Sequence, residues 1–205
     1  MFGLGILLVI GLVALVAAVV RRARGRTAPH PGALRRVALG FALGVTFFFG
    51  LFIAGEALSD PGGLEGIALV ASWLVPFGGL VALAWYRPAP ASWVLGALTA
   101  VVVIAGAWYA LAPDAWRRFE DSHGPIRAVA AFVLLAPLAL LAWKRPIVGA
   151  TLLLVVGIVP GLLAIAATGG GGAGSAVAIV SSPLAVVGLL FLVAGRIHLR
   201  SPIRG

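Results

Sequence analysis

Seven long runs without a charged residue constrain this 205-residue chain more than any other feature. About 20 mainly apolar residues in a helix cross the roughly 30 Å hydrocarbon core of a bilayer. A segment in lipid must also satisfy its own backbone amides, which a helix does within itself. The sequence therefore predicts an all-α transmembrane bundle in a single domain, residues 1–205, with spans at about 2–20, 37–54, 66–86, 91–112, 128–143, 147–167 and 176–195.

The composition agrees with a membrane protein and excludes a soluble domain. Hydrophobic residues make up 62% of the chain and charged residues 10%, whereas soluble domains have about a quarter charged residues. The net charge of +9 would suggest a nucleic-acid-binding protein in a soluble chain, but here no nucleic-acid partner is expected. The chain has no cysteine, so disulfides, thiolate metal sites and cysteine nucleophiles are excluded.

The first and fifth spans each allow two interpretations. Span 2–20 could be a signal peptide, but it has no basic residues before it and four arginines directly after it, which favours a retained anchor. Span 128–143 rises only about 24 Å as a helix. Arg127 and Lys144 at its ends could reach the interfaces and make up the difference.

Charged residues in the connecting segments predict the orientation, because Lys and Arg favour the cytoplasmic side. With the N-terminus outside, twelve of the fifteen basic residues lie on the inner face and all six acids lie on the outer face. The faces then carry +12 and −3. We expect a multi-pass protein of a bacterial plasma membrane, N-terminus out and C-terminus in, with anionic headgroups at its cytoplasmic face.

A helical hairpin is repeated in the sequence. Leu83-Ala84-Trp85-Tyr86-Arg87-Pro88 recurs as Leu141-Ala142-Trp143-Lys144-Arg145-Pro146, and each copy follows a helix with an internal proline. Both hairpins enter in the same direction, so spans 3–4 and 5–6 predict a direct repeat, which differs from the inverted repeats of many transporters. The alternative is that an aromatic anchor, a cation and a proline simply end a membrane helix at this face.

These motifs resemble a family of small uncharacterised prokaryotic integral membrane proteins. The resemblance rests on the Gly55-Glu56 helix end, the Ala-Trp-x-Arg-Pro hairpin and the glycine-started return helix, and it covers about 37–112. It implies a membrane helical bundle and no particular activity.

The spans contain no ionisable residue at mid-depth. Such residues mark proton relays, voltage sensors and intramembrane catalytic sites, so we expect no enzyme, no cofactor and no metal site. The best candidates for a polar site lie on the outer face. They are Glu56, Glu120, Asp121, His123 and Arg127, which could bind a cation or simply pair with one another and with headgroups.

Small residues and prolines indicate how the helices could pack. Gly40 and Gly44, and likewise Gly157 and Gly161, have the spacing that lets membrane helices approach closely, within the chain or in an oligomer. Four spans contain a proline, which could line a substrate path or shape a static bundle. The sequence thus predicts a non-enzymatic accessory or scaffold protein with a membrane-protein partner or a second copy. The alternative is a small permease or channel-like protein for a neutral or apolar substrate.

Overall fold

The computed structural model describes residues 31–112, 126–168 and 172–200, and within these ranges every residue except Arg87, Ala112 and Arg145 is helical. A five-residue π-helical segment, Leu58–Gly62, joins the first two helices. The all-α class is confirmed, and span 2–20 lies outside the described residues. The helices are α1 (Pro31–Ala57), α2 (Gly63–Tyr86), α3 (Pro88–Leu111), α4 (Ile126–Lys144), α5 (Pro146–Thr168) and α6 (Gly172–Arg200).

Predicted spans two to seven coincide with these six helices to within a few residues at most ends. By length and composition, four helical stretches of the described residues could cross a membrane, whereas the apolar stretches of α4 and α6 are shorter. The four are Gly32–Ala57, Gly63–Tyr86, Pro88–Trp108 and Pro146–Leu163, and the two shorter stretches are Val133–Lys144 and Ser182–Arg196.

Prolines and glycines set the helix boundaries. Pro88 and Pro146 each begin a helix, where the missing N–H of proline costs no helical hydrogen bond. Gly62 and Gly63 have φ angles of 70° and 55°, a backbone conformation that residues with a Cβ rarely adopt. These two glycines turn the chain from the π-helical segment into α2. The corner is tight, because a Cβ at Gly66 would collide with the carbonyl of Ala57.

Helix α4 is the centre of the bundle and packs against the other five described helices. Every residue from 134 to 142 is buried. The sequence predicted this helix as the weakest span because of its short apolar run. Its position gives a physical reason for that length, since residues 134–142 are buried among neighbouring helices and present little surface to lipid.

Helices α5 and α6 form the most extensive interface of the bundle. Gly157 and Gly188 make it close: an added Cβ would lie 2.8 Å from Cα of Ala185 in the first case and 2.9 Å from Cγ of Leu154 in the second. Phe191 of α6 is the largest fully buried side chain of the core. Close approach at small residues increases van der Waals contact, which drives helix association in lipid.

Helices α1 and α2 are peripheral. Helix α1 packs against α4 and α6 through its first half, and α2 packs mainly against α4 and the π-helical segment. The two helices have little contact with each other. The half of α1 that precedes the corner at Leu58–Gly62 and the part of α2 that follows it therefore lie apart. They leave a cleft between them, over α4.

Candidate functional site

A cleft lies between α1 and α2. Its volume is about 620 Å³, and α4 forms its floor through Val133 and Ala136. The lining is almost wholly apolar. It consists of Leu43, Thr46, Phe47, Gly50, Leu51, Ile53, Ala54 and Ala57 from α1, and Leu69, Val70, Trp73, Leu74, Phe77 and Val81 from α2.

Large apolar side chains in the cleft walls are exposed. Phe47 is 68% exposed and Leu74 61%, and Trp73 lies on the same surface. Thr46 is the lining residue with a hydroxyl group, and its Oγ1 is buried without a hydrogen-bond partner among the described residues. The cleft therefore suits an apolar occupant and offers no titratable side chain for chemistry.

Hydroxyl groups elsewhere in the helices bond to backbone carbonyls of the preceding turn. Ser72 Oγ donates to the carbonyl of Leu69 at 2.7 Å, and Thr151 Oγ1 donates to that of Ile147 at 2.9 Å. These bonds to the preceding turn satisfy the hydroxyls without any ligand.

The polar residues singled out on the predicted outer face lie partly outside the described residues. Glu120, Asp121 and His123 are among those not described, and Arg127 lies in the first turn of α4. Glu56 and Glu65 flank the π-helical segment, and both side chains are exposed. The described part of the chain contains no group of three metal-ligating side chains. The polar site on the outer face remains a prediction.

The two repeated hairpin turns have the same local geometry. In each, one non-helical arginine separates two helices, and its N–H donates to a leucine carbonyl four residues earlier. The bond from Arg87 to Leu83 is 2.8 Å long, and the bond from Arg145 to Leu141 is 2.6 Å. The next bond is repeated too, because Ala91 N–H donates to Arg87 O and Gly149 N–H donates to Arg145 O, both at 3.0 Å.

These bonds make Gly149 of the second hairpin equivalent to Ala91 of the first. Each of these two small residues is buried at the start of its return helix. A Cβ at Gly149 would collide with the backbone of Ala142, so the second hairpin is the tighter of the two. The equivalent turns agree with both interpretations of the sequence repeat, a duplicated hairpin and a common way of ending a helix.

The two turns lie side by side. Lys144 Nζ is 4.4 Å from the centre of the Trp85 ring, which joins the second turn to the first by a cation–π contact. The end of α6 is close as well, since a Cβ at Gly195 would be 3.5 Å from Pro146 Cβ. Helix α1 begins at this end, because it runs antiparallel to α2 through the corner.

Charges are thus separated between the two ends of the bundle. The end with the hairpin turns, here called the basic end, carries Arg35, Arg36, Arg87, Lys144, Arg145 and Arg196. The acids of the described residues, Glu56, Asp60 and Glu65, are all at the opposite end. Aromatic residues accompany the cations, and Trp93 is 82% exposed there. This pattern is typical of a membrane interface.

The cleft has no counterpart in the sequence pattern. Helices α1 and α2 are apolar on all sides, so their sequences carry no stripe that separates a cleft wall from a lipid-facing surface. Comparisons of the chain with protein-family models, curated proteins and solved structures found no match.

Proposed function

We propose that this chain is a non-enzymatic accessory or scaffold protein of the plasma membrane, which binds one apolar helix of a partner membrane protein in the α1–α2 cleft. The proposal includes the seven-span topology with the N-terminus out and the C-terminus in. The observation that carries it is an open apolar cleft on the flank of a bundle whose core around α4 is filled.

The glycines of α1 differ from those on the packed side of the bundle. In α5 and α6, added Cβ atoms at Gly157 and Gly188 would collide with the neighbouring helix. On α1, added Cβ atoms at Gly40, Gly44 and Gly50 would meet no described atom within 4 Å. Helix α1 therefore has small residues suited to close helix packing, and in the described structure no helix packs on them.

The length of the cleft wall matches about four turns of a partner helix. The α1 wall runs from Leu43 to Ala57, which corresponds to about 21 Å of helix. Gly50 lies midway along this wall and would allow the partner backbone to approach. A helix gains more than a fluid lipid chain from such a surface, because its own side chains are already ordered.

The permease alternative has less support. A substrate path along the kinked helices would need the prolines to border a common cavity. Pro137 is fully buried in the core and Pro160 is buried against Gly106, whereas Pro76 is exposed. The lining of the cleft contains no proline.

The substitution Gly50→Leu tests the cleft directly. We expect it to reduce about tenfold the recovery of a partner membrane protein that is isolated with the chain in native lipid at fixed stoichiometry. The added side chain overpacks the interface by about 1.4 kcal/mol or more. Quantitative mass spectrometry of both proteins gives the ratio.

Gly78→Leu is the matched control, because Gly78 of α2 is also exposed and unopposed among the described atoms but does not line the cleft. It should leave recovery unchanged. Equal loss in both variants would contradict the proposal, as would recovery of lipid alone. A cross-linked pair of identical chains through the cleft would identify a second copy as the occupant instead.

The proposed orientation is tested by labelling, which the absence of cysteine makes simple. In intact cells, a membrane-impermeant maleimide should modify Ser59→Cys, which lies in the corner at Leu58–Gly62 beside the acidic residues. It should modify Ala89→Cys at the basic end only after permeabilisation. Both native residues are exposed. The reverse pattern would overturn the N-out orientation.

A further inference from the structure

A second, smaller cavity lies at the basic end, between the start of α5 and the end of α6. Its volume is about 260 Å³. Its apolar lining includes Phe191, which closes the base because it is fully buried in the core. The lining residues are Pro146, Ile147, Phe191, Leu192, Gly195 and Arg196.

One arginine lines this cavity and a second is adjacent to it in the sequence. Arg196 lines it directly and is exposed, and Arg145 immediately precedes the lining residue Pro146. Lys144 precedes Arg145 in the same hairpin turn, where its Nζ contacts the ring of Trp85. The described residues carry no acid at this end, so these charges are not neutralised within the described chain.

The combination of an apolar pocket and unneutralised arginines selects a particular chemistry. A guanidinium group binds phosphate oxygens with two parallel hydrogen bonds, and the apolar lining excludes ligands that are polar throughout. The ligand should therefore carry a phosphate group joined to hydrocarbon.

We propose that this cavity binds an anionic phospholipid. Its phosphate pairs with Arg196 and Arg145, and the first methylene groups of an acyl chain pack against Ile147, Leu192 and Phe191. The lipid would bind at one defined cavity, whereas the general attraction of basic residues for anionic membranes has no fixed position. It is also independent of the α1–α2 cleft, so either proposal can fail without the other.

Binding is measured on the full-length protein in neutral detergent by native mass spectrometry and by thermal stabilisation. The probes are short-chain phosphatidylglycerol, phosphatidylcholine of equal chain length and inorganic phosphate. We expect retention and stabilisation with phosphatidylglycerol, and little with the other two. Equal binding of phosphatidylcholine would overturn the proposal, and equal stabilisation by inorganic phosphate would show a free-anion site.

Arg196→Gln should weaken phosphatidylglycerol binding about fivefold, since one basic residue contributes about 1 kcal/mol near an anionic surface. Arg36→Gln removes the same charge from the same end but outside the cavity. It should change the affinity by less than about twofold. Equal losses in the two variants would show general electrostatic attraction and overturn the specific site.

Gly195→Leu tests the pocket without changing any charge. Its Cβ fits, at 3.5 Å from Pro146, but the longer side chain fills the cavity. We expect loss of phosphatidylglycerol retention together with an unchanged melting temperature in the absence of lipid. Retention equal to that of the unsubstituted protein would contradict the proposal.

Discussion

Replacing Gly157 with alanine is expected to lower the free energy of unfolding by about 2 kcal/mol, although alanine is the better helix former. The added Cβ would lie 2.8 Å from Cα and 3.0 Å from Cβ of Ala185, and closer still to its backbone nitrogen. Backbone atoms of a packed helix cannot rotate away as a side chain can. Helices α5 and α6 must therefore separate along their shared interface.

Gly44→Ala is the matched control for this substitution. Gly44 belongs to the other small-residue pattern, and an added Cβ there would meet no described atom within 4 Å. Without a collision the helix propensity of alanine decides the sign, so we expect stability to be unchanged or higher by up to about 1 kcal/mol. Reversible denaturation in mixed micelles, followed by tryptophan fluorescence, measures both variants. Equal effects would contradict the packing described for α5 and α6.

Phe191→Ala is expected to cost about 3 kcal/mol. Phe191 is 0% exposed, and its ring fills space among residues of α4, α5 and α6. Alanine would leave a cavity and remove the van der Waals contacts of the ring. The cost lies at the low end of the range for soluble proteins, because lipid solvates the ring in the dissociated state almost as well as the core does.

The control is Phe52→Ala, since Phe52 of α1 is 62% exposed. It should change stability by less than about 0.5 kcal/mol. The same denaturation assay separates the two variants. A large loss at Phe52 would show that the exposed side of α1 is covered in the isolated protein, and a small loss at Phe191 would contradict the described core.

Helix positions could be predicted from the sequence because the signal is local. A run of apolar residues long enough to cross a bilayer has few alternatives to helix, and prolines at 88 and 146 mark the helix starts. Packing could not be predicted in the same way. Gly44 and Gly157 occur in equivalent local patterns, yet a neighbouring described helix contacts only Gly157.

The candidate sites show the same division. The basic end follows from charge positions along the chain, and the contact between Lys144 and Trp85 places both hairpin turns there. The two cavities depend on gaps between helices from different parts of the chain. No pattern within α1, α2, α5 or α6 indicates where such a gap falls.

The sequence by itself determined the all-helical class, the helix boundaries and the grouping of charges, because each depends on short stretches of chain and on their affinity for lipid or water. The tertiary structure alone decided that α4 is central, that α1 and α2 diverge and that Arg196 borders a cavity. These features depend on which helix faces pack together. In a chain that is apolar on nearly every face, shape complementarity selects those faces, and hydrophobic patterning does not.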